Sequence, residues 1–279
     1  NWFVRKRGLA ISIRWGVAGL CVIAILPLVA WLITVVGWRI TCVIGGVVMW
    51  IIGLPMAWFW VKQKRPEYYG LLPDNASPKE DATETSQVID KGIEYAAEVD
   101  EVEFTLRQAM KTWAYWLLIL SAAGYRFFIQ TMIIHSIPFL TDMGIDPVKA
   151  ALIIGTISLT SIVTRFATGF IADRIKKKHL RFLMGGSYSL IAIGLITFLL
   201  SPSMTTVYFL YIMYYSGFGV TLPLNGIIRS RYFGRKAFGS IHGSAMMIMT
   251  PVGMFAPIYA GWIYDTTGSY MAVFELIGV

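Results

Sequence analysis

The chain has 279 residues, of which 56% are hydrophobic and 14% charged, and it carries a net charge of +8. A water-soluble globule of this length needs more polar surface, so the composition excludes one and points to a membrane protein. Its two cysteines, Cys21 and Cys42, both lie inside apolar runs. They read as small apolar residues, which argues against a disulfide framework or a thiolate metal site.

From the N-terminus, apolar stretches run roughly over 8–29 and 40–61, then over 113–139, 148–172, 180–200, 206–228 and 238–263, and an eighth opens near Tyr270. Each complete one approaches or exceeds the roughly 20 residues that cross a hydrocarbon core of about 30 Å as a helix. A barrel would need segments of about 10 residues alternating apolar and polar, and these runs are apolar on every face. The expectation is an all-α, polytopic bundle of about seven complete spans and part of an eighth. The chain opens at Asn1 without an initiator methionine and stops about ten residues into the last stretch, so it reads as a fragment.

The cations sort by connection. Arg5, Lys6 and Arg7, then Lys62, Lys64 and Arg65, then Arg174, Lys176, Lys177, Lys178 and Arg181, then Arg229, Arg231, Arg235 and Lys236 fall in alternate connections. Arg39 and Lys149 fall on the other side. The positive-inside rule makes the crowded side cytoplasmic in a multi-pass protein of the cell membrane. Orientation among membrane lipids accounts for the basic charge, so no nucleic-acid partner is expected.

Eleven of the sixteen acidic residues lie between Glu67 and Glu103, with Pro66, Pro73 and Pro78 around them, which marks a cytoplasmic linker between two bundles. Its latter part places Ile89, Ile93, Phe104, Leu106 and Met110 among charges. That pattern suits an amphipathic surface helix as well as a solvated spacer. The resulting division is 1–61 as two helices of a first bundle, 62–111 as linker, and 112–279 as a second bundle. The stretches NWFVRKRG at 1–8 and RYFGRKAFG at 231–239 share an aromatic, Phe, one variable residue, Arg and Lys. A motif recurring with the same orientation suggests two parallel repeats about an axis along the membrane normal.

One residue conflicts with its surroundings. Arg165 lies about seven residues from the end of its span at Ala172, on the order of 10 Å deep at the rise of a helix. A central arginine on a lone helix costs from about 2.5 to above 10 kcal/mol, so it must face protein, water or a ligand. At 100° per residue, Ser158, Ser161, Arg165 and Gly169 share one small, polar stripe. A carboxylate on a neighbouring helix or an anionic ligand would neutralise the charge. Glu275 is the acidic residue within the spans, against Arg14, Arg126 and Arg165, and the surplus favours an anionic ligand.

Other polar residues in the spans have weaker patterns. Arg126 with Gln130 lies nearly opposite Thr131 with His135 on one helix. His135 titrates in a range suited to substrate binding or proton relay, although a neutral ring bonded to a backbone carbonyl is the simpler reading. Arg14 and His242 lie near the cytoplasmic end, as a snorkelling and a structural residue. Tyr208, Tyr211 and Tyr215 share a face, with Thr221 and Asn225 further along, where packing competes with substrate contact.

GFIADRIKKK at 169–178 resembles the cytoplasmic loop motif Gly-x-x-x-Asp-Arg-x-Gly-Arg-Arg/Lys of the major facilitator superfamily, with Lys176 where that motif has Gly. RPEYYGLLPDN at 65–75, GWR at 37–39, RYFGRKAFGSIHG at 231–243 and GWIYDTTGSY at 261–270 together resemble its monocarboxylate and oxalate/formate transporter branch. The resemblance covers essentially the whole chain, from the loop before helix 5 into helix 12. It implies that Arg165 occupies the place of a substrate-binding arginine of helix 8. Ser161 stands where animal monocarboxylate carriers have an acidic residue. The run 244–255 lacks the lysine of the oxalate/formate type, which favours a single-carboxylate ligand. It implies a gating motif around Gly169, Asp173 and Arg174, clamping helices on the cytoplasmic side.

These readings converge on a secondary transporter moving a small organic anion by alternating access, with proton symport as the coupling. The substrate residues would be Arg165, Ser161, His135, Arg126, Tyr215 and Asn225, and the gate Gly169, Asp173, Arg174, Arg235 and Lys236. An anion antiporter is the nearest alternative. A seven-helix receptor would carry neither the repeat nor the acidic linker. No nucleophile triad, zinc signature or phosphate loop is present, so no enzyme, catalytic residue, metal or cofactor is expected. The expected assembly is a monomer.

Overall fold

A computed structural model describes residues 3, 6–60, 69, 104–234 and 237–278. Most of the acidic linker, and Trp2, Arg5, Arg235 and Lys236 of the repeated motif, lie outside them. Among the described residues every regular element is helical, and six helices are long and apolar enough to cross a membrane. Internal contacts divide the chain into two compact units, Asn1–Lys6 with Arg14–Asp100 and Arg7–Ile13 with Glu101–Val279.

The first unit carries most of α1 (Arg7–Val48), a short π-helical turn at Met49–Gly53, and α2 (Leu54–Trp60). The sequence predicts separate spans at 8–29 and 40–61. Instead the helix continues to Gly37, whose φ of 79° and ψ of 161° break it at a single residue. Only glycine adopts that backbone without strain, so a one-residue break replaces the expected loop. The apolar side chains of Trp31, Trp50, Ile51 and Trp58 are exposed, as side chains in contact with lipid are.

The second unit consists of the first turns of α1, a short α3 (Leu106–Met110), and then α4 (Trp113–Asp142), α5 (Pro147–Arg174), α6 (Leu180–Leu200), α7 (Met204–Phe233), α8 (Phe238–Thr267) and α9 (Tyr270–Gly278). Local chemistry sets the boundaries. The side chain of Thr112 accepts from Tyr115 N at the start of α4. Asp146 accepts from Val148 N and Lys149 N ahead of Pro147 at the start of α5, and Ser203 and Thr206 close a capping box on α7. Gly268, at φ 67°, ends α8 in the left-handed conformation that turns the chain into α9.

Helix α7 is central, packing along both α5 and α6, while α4 packs along α8. At one end Phe139, Phe198 and Phe274 meet edge to face, with centroids 4.8 to 5.9 Å apart. At the other, Tyr115, Phe233, Ile241 and Met249 form a second cluster. Between them, a Cβ on Gly219 of α7 would overlap Ser161 O and Thr164 Oγ1 of α5. The two backbones therefore touch where Ser161 lies, which fixes the height of Arg165 one turn further along.

Arg229 and Arg231, which the sequence places in a connection, lie inside α7, and Arg229 is 2% exposed. The helix continues about five residues past the apolar run because its last turn packs against protein: Phe233 and Ser230 are buried, and Arg231 is bonded to its neighbours.

Candidate functional site

Arg165 is 8% exposed, and its guanidinium carbon lies 5.3 Å from the centroid of the Phe218 ring on α7, a cation–π arrangement. Phe218 stacks on Tyr214 at 6.2 Å, and Tyr214 meets Phe128 of α4 edge on. The Tyr125 hydroxyl of α4 lies within electrostatic reach of both Arg165 and Arg126 and sits beside Thr221. Helix α5 thus brings Arg165 to a phenol whose own helix, α4, carries Arg126, with Thr221 of α7 beside them. Among the described residues, the buried hydroxyls of Tyr125 and Tyr214 and Nε of Arg126 make no hydrogen bond. A buried arginine nitrogen without a hydrogen bond among the described residues, on the helix of the Tyr125 phenol, suits a polar, anionic ligand.

The other candidates are placed as follows. Ser161 is buried at the contact with Gly219 and donates to Ser158 O at 2.7 Å. Arg126 and Gln130 pack against Gly253 of α8, at distances that leave little room for a side chain there. His135 is engaged on both ring nitrogens, with Nε2 3.0 Å from Pro257 O and Nδ1 3.2 Å from the Tyr270 hydroxyl. The carbonyl can only accept, so Nε2 carries the proton and Nδ1 accepts from Tyr270. That is the carbonyl-bonded arrangement the sequence offered as the simpler reading, and it ties α4 to α8 and α9. Helical-wheel positions put Arg126 and His135 on nearly opposite faces, yet both meet α8. Tyr215 packs edge to face on Tyr214 at 4.8 Å, and Asn225 Nδ2 donates to Thr221 O of its own helix at 3.1 Å.

A second polar cluster lies at the end of the bundle where α5 and α7 finish. The Asp173 carboxylate accepts from Gly8 N at 2.7 Å and Leu9 N at 2.8 Å, the first amides of α1. It is also paired with Arg231 Nη2 at 3.1 Å, and Arg231 Nη1 donates to Ile175 O at 3.1 Å. Arg7 Nη1 in turn donates to Ser230 O at 2.8 Å. A carboxylate on the open amides of a helix start gains from both hydrogen bonds and the helix dipole. Gly169 makes this possible, because a Cβ there would lie 2.6 Å from Ser12 Cβ.

The partner of Asp173 is Arg231, a residue outside the gating set that the sequence suggests. Arg174, expected beside Asp173, is exposed at the end of α5, and Arg231, one of the cations assigned to a loop, takes the carboxylate. On a helix, adjacent residues point about 100° apart, so Arg174 faces away from the partner that Asp173 meets. Arg235 and Lys236 lie outside the described residues. The signal for Arg231 was its distance of only a few residues from the apolar run of 206–228.

With the geometry in place, comparison with known proteins decides the family. The model of the Major Facilitator Superfamily matches residues 1–276. The chain belongs to this superfamily. It is 23% identical over 293 residues to monocarboxylate transporter 12 of Mus musculus, covering all of this chain and 58% of that protein. To monocarboxylate transporter 12 of Xenopus laevis it is 25% identical over 291 residues, covering all of this chain and 60% of that protein. To monocarboxylate transporter 13 of Rattus norvegicus it is 26% identical over 145 residues, 52% of this chain and 34% of that one. The chain therefore spans three-fifths or less of these relatives, and its helices are those of a multi-pass superfamily member.

Proposed function

We propose that the protein of which this chain is part is a secondary transporter for a small organic anion, a monocarboxylate, working by alternating access with proton symport. The observation that carries the reading is Arg165, a buried cation set on Phe218 in a helix whose acidic residue, Asp173, is bonded at the far end to α1 and Arg231. The names of the curated relatives support the substrate class. A guanidinium presents paired donors that match a carboxylate, and its aromatic neighbour holds the plane of the fork. Arg126 and the Tyr125 hydroxyl complete the polar surroundings.

The Asp173 cluster serves as the cytoplasmic gate in this reading. Hydrogen bonds to a charged group contribute about 1.5–3 kcal/mol each, and an exposed ion pair about 0–1 kcal/mol. A few such bonds bias two conformations without locking either one. Proton symport follows from charge: a lone carboxylate moving against a negative-inside potential works against about 2.3 kcal/mol per 100 mV, and a co-transported proton removes that term.

The test is uptake of radiolabelled lactate, pyruvate, formate and oxalate by the full-length protein in liposomes, with and without an imposed proton gradient. Gradient-driven accumulation of a monocarboxylate, abolished by Arg165→Gln, is the expected result. Uptake unchanged by Arg165→Gln removes the site assignment. Uptake that requires a second anion inside the vesicle, and ignores the gradient, replaces symport with antiport.

A further inference from the structure

The chain has three histidines, in three different settings. His179 is exposed in the turn between α5 and α6. His242 sits at the clamp end of α8, where its Nδ1 accepts from Arg229 Nη1 at 3.0 Å. His135 lies half-buried near the far end of α4, bonded to α8 on one side and α9 on the other. Both of its hydrogen bonds can be kept whether or not the ring carries a charge.

The carbonyl of Pro257, 3.0 Å from Nε2, accepts in either state, because Nε2 bears a proton in both. The partner of Nδ1, 3.2 Å away, is the Tyr270 hydroxyl, which can donate or accept. With the ring neutral, the phenol donates to Nδ1. When a proton arrives at Nδ1, the phenol swings its own hydrogen aside and accepts instead. A neutral hydrogen bond is thereby replaced by a charge-assisted one, which is about twice as strong.

The groups around the ring favour the added charge. From α8 come Tyr264 and Asp265, and from α9 Tyr270, which stacks on Tyr264 with centroids 4.2 Å apart. Asp142, about two turns further along α4, lies beside the Tyr264 hydroxyl, and both Asp142 and Asp265 are within electrostatic reach of Tyr264 and Tyr270. The start of α5 carries Asp146 and Lys149, both exposed and opposite in sign, and α9 carries Glu275 further along. From α7, Tyr211 donates to the carbonyl of Ser136, the residue after His135, and α6 presents Phe198 to Phe139. Arg126 lies back along α4 by about 13 Å at the rise of a helix. Among these residues acids outnumber bases, and opposite charge favours the protonated imidazole.

Helix α4 ends here, whereas α5 and α7 end at the clamp, so His135 and Asp173 lie at opposite ends of the bundle. In the proposed function the clamp is cytoplasmic, which puts the imidazole on the outward side.

We propose that His135 is the proton-loading site of the transporter, taking up a proton on Nδ1 at the outward end by reversing its hydrogen bond with Tyr270. This rests on the proton-coupled reading above and names the residue that binds the proton. Because both ties of the ring survive, loading leaves α4 joined to α8 and α9 and adds one positive charge to accompany the carboxylate.

Two measurements test it in the full-length protein. Nitrogen NMR of labelled histidine, assigned by difference against His135→Gln, should show Nε2 protonated throughout and Nδ1 taking up a proton as the pH falls. In Tyr270→Phe, which keeps the aromatic ring and removes the reversible partner, the midpoint should fall by about one pH unit, since the charged form loses the stronger bond. In liposomes, radiolabelled lactate uptake by His135→Gln should be the same with and without a proton gradient, while exchange of lactate for lactate, which needs no net proton movement, continues. Gradient-driven accumulation surviving in His135→Gln, or a midpoint that Tyr270→Phe leaves unmoved or raises, overturns the proposal. If the unsubstituted protein accumulates nothing under a gradient, the symport reading fails by itself, and the imidazole titration still decides whether His135 takes a proton through Tyr270.

Discussion

Arg165 and Arg231 are both guanidiniums largely withdrawn from solvent, and their surroundings are opposite. Arg231 meets a fixed carboxylate, Asp173, which the first amides of α1 also hold. Arg165 lies over the Phe218 ring, within electrostatic reach of the Tyr125 phenol. A guanidinium given a protein carboxylate becomes a brace whose strength is set once. One set on a ring face, as Arg165 is on Phe218, keeps its orientation, and in the proposed function its fork meets a carboxylate substrate. In the proposed function the same residue type serves as gate or as substrate site according to its neighbours.

The contrast is broken most severely at the site itself. Arg165→Gln should lower kcat/KM for a monocarboxylate by a factor of about 10–150, the equivalent of a charge-assisted contact of about 1.5–3 kcal/mol, while Arg165→Lys retains a measurable part. Initial-rate uptake checks both. Asp173→Asn should weaken the brace by about 1–3 kcal/mol, read as faster alkylation of a cysteine introduced at Ser230, with carboxylate affinity little changed. A variant that lost affinity and left alkylation untouched would erase the distinction between the two arginines.

A smaller change sharpens it. Phe218→Leu removes the ring beneath Arg165 and should raise KM by an amount equivalent to about 0.5–2 kcal/mol, while leaving cysteine accessibility at the clamp unchanged. The smallest effect is expected for Arg174→Gln. That side chain faces outward at the end of α5, and neither uptake nor thermal stability should move beyond measurement error.

Particular residues show where sequence reasoning carried and where it stopped. The spans were legible because lipid demands long apolar helices, and α4 to α8 fall where the hydropathy put them. Arg165 was legible because its cost in lipid does not depend on what it meets. Its partners on α7 and α4 were not, since Phe218 and Tyr125 are ordinary apolar-span residues until packing brings them to it. His135 carried a signal of polarity with two readings, and the structure sets its ring between the carbonyl of Pro257 and the hydroxyl of Tyr270. Arg229 was misread for a definite reason: a cation a few residues beyond an apolar run is assigned to a loop when nothing shows that protein surrounds it.

The sequence by itself determined the helical architecture and the presence of a costly arginine in the fifth helix, because those follow from the interaction of single segments with water and lipid. Only tertiary structure decided that Asp173 pairs with Arg231 and not with Arg174, that Arg126 and Arg165 share Tyr125, and that Arg229 takes its lone pair from His242. Each of these depends on which faces of different helices meet, and helix periodicity fixes the faces without naming the neighbour.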